Sequence, residues 1–325
     1  MTVHWGILST ARINDKFIVG CAQSDAATIS AVASRDGERA RSYADEHGID
    51  RAYGSYDALL ADPEIEAVYI SLPNAMHLEW TQRALRAGKH VLCEKPLGRR
   101  ADEVAAAFDL AEGQGLLLME AFMYRHNPQT KRVAELIRAG TIGRLRLIRA
   151  AFSFGLQDST NVRLSAGLDG GALMDVGCYC VSAARTLAGE PERVTAQQEL
   201  GGDGVDVVFT ATMSFADEVV AHFDAGLMLA TRDELEVVGE TGSLFLDDPW
   251  HCRTPVIEVR TDGGVDRIRL PRNDSYLLEA ENFSAAIRGE AEPLLGRADA
   301  VGQAATIQAL YAAAEAGGTA VTRHG

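Results

Sequence analysis

Lysine is almost absent from this chain of 325 residues. Of its 31 basic residues only four are lysines, Lys16, Lys89, Lys95 and Lys131, and the remainder are arginines. The lysine ammonium is a compact charge whose pKa responds to burial, whereas arginine stays charged. A lysine at the end of a strand is therefore a candidate for a role in chemistry, although most lysines are solvated surface charges.

Paired cysteines and metal-binding spacings are also missing. The five cysteines, Cys21, Cys93, Cys178, Cys180 and Cys252, form no C-x-x-C pair, and the eight histidines show no H-E-x-x-H spacing. An odd and scattered set of thiols is typical of a reducing compartment. We therefore expect a cytoplasmic protein that has no metal site.

Long apolar runs and an excess of positive charge are absent too. No apolar segment is long enough to cross a membrane, and residues 1–6 enter a strand without the pattern of a secretory signal. The net charge of −15 disfavours nucleic acid and anionic membranes as partners, but it allows a local basic pocket. The length suggests two domains, and we expect a small-molecule ligand.

Residues 1–122 alternate between apolar runs and polar helical segments, which is typical of a parallel sheet covered on both faces. We predict strands at 3–8, 28–33, 67–72, 90–93 and 116–119, and helices at 11–23, 35–47, 56–60, 75–87 and 102–112. The pattern predicts a doubly wound Rossmann domain over 1–122.

Lys95 follows the apolar run 90–93 and precedes Pro96, which ends the predicted strand. The residue is thereby placed at the carboxyl edge of the sheet, where ligands of open α/β sheets bind. We treat Lys95 as a functional candidate, with an ordinary surface lysine as the alternative.

The turn after the first strand, Gly6 to Asn14, lacks most glycines of a dinucleotide-binding fingerprint. Ser9 and Ala11 stand where glycines are expected, and Asn14 occupies the third position. Small residues still allow a pyrophosphate to approach the N–H groups at a helix start. The alternative is an ordinary strand-to-helix turn.

The end of the second strand predicts the choice of cofactor. Ser34 and Arg35 come before Asp36, and Arg39 follows one helical turn later. A hydroxyl and guanidinium groups suit a 2′-phosphate, so we expect NADP(H) in preference to NAD(H). The alternative is a solvated helix start with Asp36 as its cap.

Residues 123–325 have a different pattern, with short strand-like runs separated by turns rich in glycine and aspartate. Strands are predicted at 145–154, 205–215, 219–223, 228–230, 235–238, 243–246, 256–259 and 267–270, and helices at 129–138, 172–187, 276–287 and 299–316. We predict an α+β domain with a large, mostly antiparallel open sheet. Its closing helices are candidates to pack back on the first domain.

Four stretches together resemble one family. They are the turn at 6–14, the segments 71–77 and 170–179, and the tripeptide Glu94-Lys95-Pro96. The chain is similar over nearly its whole length to the Gfo/Idh/MocA oxidoreductases. Because Tyr179 ends the motif at 170–179, it most resembles the branch of NADP-dependent xylose dehydrogenases, dimeric dihydrodiol dehydrogenases and sugar 3-ketoreductases.

The resemblance implies a site. It places Lys95–Pro96 beside the nicotinamide, often with a cis peptide bond. Tyr124 is a further candidate substrate contact, and Arg163 is placed by its loop before the helix at 172–187 to meet an anionic substrate group. The implied catalytic residues are Lys95, Tyr179 and Asp175, and the substrate contacts are Lys95, Tyr124, Arg163, Asp175 and Tyr179. The expected cofactor contacts are Ser9, Thr10, Ala11, Arg12, Ile13, Ser34, Arg35, Arg39, Ser71, Leu72, Pro73, Asn74, His77, Glu94, Lys95 and Pro96.

These residues predict an oxidoreductase that interconverts a hydroxyl and a carbonyl of a sugar or sugar-like substrate with NADP(H). A free aldose, a nucleotide-linked keto sugar, a trans-dihydrodiol and an anhydro sugar all stay open as the substrate. Tyr179 is the expected acid, with its pKa lowered by Lys95 and with Asp175 four residues earlier on the same helical face. From spacing alone, Tyr179 and Asp175 are equally well explained as packing and surface residues, and Arg163 as a surface residue.

Two alternatives remain beside this function and its small-molecule partner. One is a glycosidase-like enzyme that holds NAD tightly, and another is a non-catalytic cofactor-binding sensor, although the sensor is expected to lack Lys95 or Tyr179. The apolar run at 205–209 needs covering, so a homodimer or homotetramer is expected in place of a monomer.

Overall fold

The computed structural model describes residues 1–318 and the backbone of 321–322. Residues 319–320 and 323–325, the end of the predicted second domain, lie outside the described residues. The chain forms two compact units. One contains Met1–Met123 and Asp274–Val301, and the other contains Tyr124–Asn273 and Gly302–Gly325. The predicted break near residue 122 is thus accompanied by a second segment, 274–301, which belongs to the first unit.

The first unit contains a parallel sheet of six strands, as predicted. The strands are β1 (Val3–Leu8), β2 (Ala27–Ala33), β3 (Arg51–Tyr53), β4 (Ala67–Ile70), β5 (His90–Glu94) and β6 (Leu118–Ala121). Their order in the sheet is β3-β2-β1-β4-β5-β6. Every residue of β4 and β6 is buried, as expected where helices cover both faces.

The helices of this unit correspond to the helical segments predicted between the apolar runs of the sequence. They are α1 (Ile13–Cys21), α2 (Gly37–His47), α3 (Tyr56–Leu60), α4 (His77–Arg86), α5 (Ala101–Gly113) and, from the later segment, α8 (Ser275–Ile287). Helix α8 packs on α1, and the Phe283 ring lies 5.7 Å from that of Trp5. Gly20 of α1 permits this approach, because a Cβ there would lie 2.7 Å from the backbone nitrogen of Leu277.

The strand order creates a switch point between β1 and β4. From β1 the chain proceeds outward through β2 to β3, and it then returns to β4 on the other side of β1. The connections leaving the carboxyl ends of β1 and β4 therefore diverge and open a crevice at that edge, which is where dinucleotides bind in such sheets.

The second unit is built on a sheet of nine strands, most of which are antiparallel. The strands are β7 (Leu145–Gly155), β8 (Arg193–Leu200), β9 (Asp206–Ser214), β10 (Val220–Gly226), β11 (Met228–Gly239), β12 (Gly242–Leu246), β13 (Val256–Thr261), β14 (Gly264–Arg269) and β15 (Val321–Thr322). Their order is β14-β13-β12-β11-β7-β10-β9-β8-β15.

Three features of this sheet were not predicted. Strand β8 is largely polar, with two fully buried side chains, so its sequence lacks an apolar signal. The runs at 228–230 and 235–238 form one strand, β11, because the polar residues between them still pair with β7. The sheet is not a simple meander, since β7 lies between β10 and β11 and pairs with β10 in parallel.

The helices of the second unit include α6 (Pro128–Arg138) and α7 (Cys178–Ala188), together with the part of α9 (Arg297–Glu315) that follows Val301. The helix predicted at 172–187 is two elements, because a π-helical turn at Leu173–Gly177 precedes α7. No helix in the described residues has the length and apolar character needed to cross a membrane.

Candidate active site

The predicted cofactor residues lie in four turns at one edge of the first sheet. These turns follow β1, β2, β4 and β5, which are neighbours in the order β2-β1-β4-β5. Because all four strands are parallel, their carboxyl ends meet at this edge. The fold therefore gathers residues that are up to 87 positions apart in sequence, from Ser9 to Pro96.

The turn after β1 is closed by side chains where most dinucleotide-binding turns use glycine. Ser9 adopts a φ of 143°, and its hydroxyl lies 2.7 Å from that of Ser71, at the end of β4. The Ser71 hydroxyl donates to Asn14 Oδ1 at 2.5 Å, and Asn14 Nδ2 donates to the Ser9 carbonyl at 3.0 Å. Asn14 is fully buried, so the third fingerprint position ties the turn to β4.

The start of α1 offers unused hydrogen-bond donors. Its N-cap, Arg12, makes no side-chain cap, and in the described part of the chain the N–H groups of Arg12 and Ile13 have no acceptor. Ala11 N donates to the Ser9 hydroxyl at 3.1 Å. Unpaired amides at a helix N-terminus fit a pyrophosphate, because both the donors and the helix dipole favour an anion.

The turn after β2 presents two exposed guanidinium groups. Asp36 caps α2 by accepting from Glu38 N at 2.9 Å and from Arg39 N at 3.2 Å. Arg35 and Arg39 are exposed, and neither forms an ion pair with another described residue. The Ser34 hydroxyl is 3.3 Å from Asp36 N and is largely buried. The acidic residue is thus committed to the helix start, while both arginines are available to a phosphate.

The turn after β5 carries Lys95. The Lys95–Pro96 peptide bond is cis, as the resemblance implied. The Tyr69 hydroxyl donates to Glu94 Oε1 at 2.5 Å, and Glu94 Oε2 lies 3.3 Å from Lys95 N. Leu97 N donates to Glu120 Oε1 at 2.8 Å. Buried carboxylates therefore hold the backbone on both sides of Lys95.

His77 supports the same turn from within the protein. It was predicted to line the cofactor, but it is 1% exposed, and its nitrogens lie 2.8 Å from the Pro96 carbonyl and 2.7 Å from the Leu72 carbonyl. Burial lowers the pKa of His77, and the two carbonyls oppose that shift. With both ring nitrogens occupied, His77 braces the turn and has no ring nitrogen left for a ligand.

A second lysine has a structural role. Lys89 Nζ donates to the carbonyls of Asp62 at 2.6 Å and Ile65 at 2.7 Å, and burial lowers the pKa of this amine. Of the four lysines, Lys89 is buried and Lys95 is partly buried. Lys89 ties the loop that contains Asp62 and Ile65 to the start of β5.

In the second unit, Asp175 and Tyr179 lie on consecutive elements. Asp175 belongs to the π-helical turn, and Tyr179 to the first turn of α7. π-Helical turns within α-helices occur frequently at functional sites. The segment that carries both residues is therefore not the regular α-helix that was predicted, because a π-helical turn runs from Leu173 to Gly177.

The start of this segment is held by a residue that sequence reasoning missed. Asp206, which begins β9, accepts from Leu173 N at 2.6 Å and from the Tyr311 hydroxyl at 2.8 Å. Gly171 has a φ of 122°, and a Cβ there would lie 2.2 Å from Asp206 Oδ1. A Cβ on Gly170 would lie 2.3 Å from the Arg163 carbonyl. The paired glycines of the motif therefore make room for a carboxylate and a loop.

Arg163 and Asp175 form an ion pair. Arg163 Nε donates to Asp175 Oδ2 at 2.6 Å, with 41% of the arginine side chain and 14% of the aspartate side chain exposed. Asn161 accepts from Arg163 N and thereby fixes the loop before the motif. Two predicted substrate contacts are thus joined to each other, which the sequence did not indicate.

Tyr179 lies among aromatic rings. Its ring is 5.4 Å from Phe152, 5.6 Å from Tyr124 and 6.0 Å from Trp250. Tyr124 was predicted to contact the substrate, but it is 2% exposed and its hydroxyl donates to Ser182 at 2.9 Å. Tyr124 therefore supports Tyr179 by packing against it with the ring planes tilted by 48°, whereas Phe152 makes the edge-to-face contact with Tyr179.

Comparison with known proteins agrees with this fold. Residues 3–122 match a family described as oxidoreductases with an NAD-binding Rossmann fold, and residues 130–245 match the GFO/IDH/MocA C-terminal domain. The chain is similar to a D-xylose 1-dehydrogenase (NADP⁺) of Haloferax volcanii, at 41% identity over 96% of this chain and 98% of the relative.

Two further similarities come from a curated relative and a solved structure. A trans-1,2-dihydrobenzene-1,2-diol dehydrogenase of Xenopus laevis is 35% identical over 87% of this chain and 85% of its own. The crystal structure of a 3-ketoreductase from Actinomadura kijaniata, in complex with NADP and TDP-benzene, superimposes with a TM-score of 0.91. That protein is 30% identical over 96% of this chain and 98% of its own.

Proposed function

The chain belongs to the Gfo/Idh/MocA family of NAD(P)-dependent oxidoreductases, and from that premise we propose that it interconverts a hydroxyl and a carbonyl of a sugar or sugar-like substrate with NADP(H). The observation that carries the proposal is the position of Lys95 at the carboxyl end of β5, on a turn fixed by two buried carboxylates and His77. Relatives with this fold are named as sugar dehydrogenases and ketoreductases.

The residues of the first unit fit the cofactor. The open amides of Arg12 and Ile13 would hold its pyrophosphate, and the turns after β4 and β5 would hold the nicotinamide half, with Ser71, Leu72, Pro73 and Asn74 in the first turn and Glu94, Lys95 and Pro96 in the second. Ser34, Arg35 and Arg39 would bind a 2′-phosphate, because each charge-assisted contact contributes roughly 1.5–3 kcal/mol. When bound, the cofactor supplies or accepts a hydride.

The protein must move the accompanying proton, and we assign this to Tyr179. A phenol with a pKa of about 10 exchanges protons poorly at neutral pH. A neighbouring ammonium stabilises the phenolate and lowers that pKa, and Lys95 is proposed to provide the charge. Asp175, held by Arg163, would orient the lysine or accept from a substrate hydroxyl.

The substrate is proposed from two of the four classes that the sequence leaves open, the free aldose and the nucleotide-linked keto sugar. One relative is a dehydrogenase of the free aldose D-xylose, and the Actinomadura ketoreductase was crystallised with a nucleotide analogue, TDP-benzene. We propose the free aldose, because the relative with 41% identity carries that name. A homodimer or homotetramer is a further part of the proposal, and light scattering at micromolar concentration tests it.

Steady-state kinetics with free aldoses and NADP⁺, beside nucleotide-linked keto sugars with NADPH, tests the function. We expect Tyr179→Phe to retain NADP(H) binding and to lose roughly 10²–10⁴ in turnover, the usual contribution of general acid–base catalysis. Lys95→Ala is expected to lose at least as much. A folded Tyr179→Phe variant that turns over within threefold of the parent on its true substrate would contradict the assignment of Tyr179.

The choice of cofactor has its own test. Fluorescence titration should give tighter binding of NADP(H) than of NAD(H), and Arg35→Ala should weaken NADP(H) about tenfold or more while leaving NAD(H) unchanged. Equal affinities for the two cofactors in the parent protein would overturn the preference.

A further inference from the structure

The loop between β12 and β13 is rigid and presents a histidine beside the aromatic cluster of Tyr179. Asp248 accepts from the amides of Arg253 at 2.5 Å and Thr254 at 2.9 Å, which closes the loop on itself. Trp250 is fully buried, and its indole N–H donates to the Ala151 carbonyl at 3.0 Å. The next residue, His251, is therefore held in place by its neighbours on both sides.

His251 is oriented by a buried carboxylate. Its Nδ1 lies 2.7 Å from Asp233 Oδ2, with 27% of the histidine side chain and 11% of the aspartate side chain exposed. Trp250 N, at 3.3 Å from Asp233 Oδ1, completes the arrangement. Because a carboxylate accepts from Nδ1–H, the neutral imidazole presents its lone pair at Nε2. No other described residue bonds to Nε2.

Phe152 links His251 to Tyr179. Its ring centroid is 5.6 Å from that of His251 and 5.4 Å from that of Tyr179, so about 11 Å is the upper limit of the separation between those two rings. Phe152 and Asp233 are direct partners in the β7–β11 ladder and therefore share one face of the sheet. The His251 ring therefore lies within about 11 Å of the ring that is proposed to exchange the proton with the substrate.

The chemistry around His251 favours a neutral ligand. Asp233, Asp248 and His251 could each offer one metal-ligand atom within 4.8 Å of the others. However, both Asp248 oxygens accept from Arg253 or Thr254, and the Arg253 guanidinium lies 3.6 Å from Asp233. The guanidinium and the hydrogen bonds to Asp248 offset the attraction of the two carboxylates for a cation, and a phosphate is repelled by those carboxylates.

We propose that His251, positioned by Asp233, is a specificity residue that accepts a hydrogen bond at Nε2 from a hydroxyl of a neutral sugar, remote from the reacting carbon. The proposal rests on the proposed function, because it assigns a subsite to the same substrate. It predicts that the enzyme distinguishes sugars by a hydroxyl that does not react.

The test uses D-xylose and its deoxy analogues with NADP⁺, and compares the parent with His251→Phe. The phenyl ring keeps the contact with Phe152 but has no nitrogen. We expect KM to rise about tenfold with kcat within threefold, because one hydrogen bond of this kind contributes about a factor of ten. The variant should also lose the parent's preference for D-xylose over one deoxy analogue. His222→Phe, at an exposed histidine of β10, is the matched control.

A second measurement does not depend on turnover. In ¹⁵N-histidine spectra of the full chain with NADP⁺, we expect the His251 Nε2 resonance to shift on titration with D-xylose. Activity on D-xylose that is unchanged in His251→Phe, or an Nε2 resonance that does not move at saturating sugar, would overturn the proposal. Zn²⁺ binding by the parent protein that is lost in His251→Phe would also overturn the proposal. If the parent oxidises no aldose but the resonance shifts, the proposed function fails and the subsite stands.

Discussion

Two helix starts show how the molecule uses the same backbone groups in opposite ways. At the start of α1, the amides of Arg12 and Ile13 have no acceptor among the described residues. At the start of the segment that carries Asp175, Leu173 N donates to the buried carboxylate of Asp206 at 2.6 Å. An open helix start can bind an anion, whereas a start filled by an internal carboxylate is rigid and cannot. The backbone amides at the start of α1 thus stay open in the first unit, whereas in the second unit the amide of Leu173 is used to position the segment that carries Asp175.

Gly171→Ala should break the closed start most severely. The φ of 122° is strained for alanine, and its Cβ would lie 2.2 Å from Asp206 Oδ1. We expect the free energy of unfolding to fall by about 3–5 kcal/mol, measured by urea denaturation. Gly140→Ala is the control, because its φ of 72° is also positive but a Cβ there meets nothing within 4 Å. That change should cost about 1–2 kcal/mol, and equal losses would show that space around Gly171 is not the cause.

Arg12→Asp should act in the opposite direction at the open start. A carboxylate near the first turn of α1 interacts favourably with the helix dipole, so the melting temperature should be unchanged or higher. The same charge competes with the cofactor for the free amides, so NADP(H) affinity should fall about tenfold or more. Arg12→Gln should show a smaller loss. An unchanged affinity in Arg12→Asp would mean that these amides do not bind the pyrophosphate.

A smaller effect on stability is expected from a second comparison, between two buried histidines with and without hydrogen-bond partners. Carbonyls face both nitrogens of His77 and oppose the lowering of its pKa, whereas His126 Nε2 has no partner among the described residues. Burial, with Lys131 and Arg125 nearby, lowers the pKa of His126 from 6.5 to about 3. Between pH 6.5 and about pH 3, the His126 imidazole is protonated in the unfolded chain but neutral in the folded chain. The free energy of unfolding therefore falls as the pH falls below about 6.5.

The expected slope is up to about 1.4 kcal/mol per pH unit for His126. Urea denaturation at pH 7.5, 6.5 and 5.5 measures it. His126→Leu should flatten the dependence below pH 6.5 more than His77→Gln does, and it should leave the dependence above pH 7 unchanged. If the slope of the parent survives in His126→Leu, another group is responsible.

The fold was largely predictable because its signals are local. Apolar strands and polar helices alternate along the first unit, and this local alternation predicts a parallel sheet. In the second unit, the polar strand β8 and the continuous strand β11 depend on pairing with distant partners, which leaves no local pattern. Strand boundaries were accordingly less accurate there.

The sequence motifs nominate the residues of the candidate site but do not indicate how those residues are bonded. Lys95, Asp175 and Tyr179 stand in recognisable motifs. The support for them comes from residues far away in sequence: Asp206 contacts Leu173 across 33 positions, and Tyr69 contacts Glu94 across 25. The glycines at 170 and 171 were the one local signal of this support, since paired glycines before a helix indicate that backbone or a carboxylate comes close.

The scarcity of lysine has a practical consequence for following this protein in solution. Lys89 is buried and Lys95 lies in the turn after β5, whereas Lys16 and Lys131 are exposed. Lys16 belongs to the first unit and Lys131 to the second. Lys16 and Lys131 are therefore the exposed lysines for an amine-selective reagent, one on each unit, beside the terminal amine and the half-buried Lys95. Dyes coupled at these two positions would label each unit without any cysteine having to be introduced.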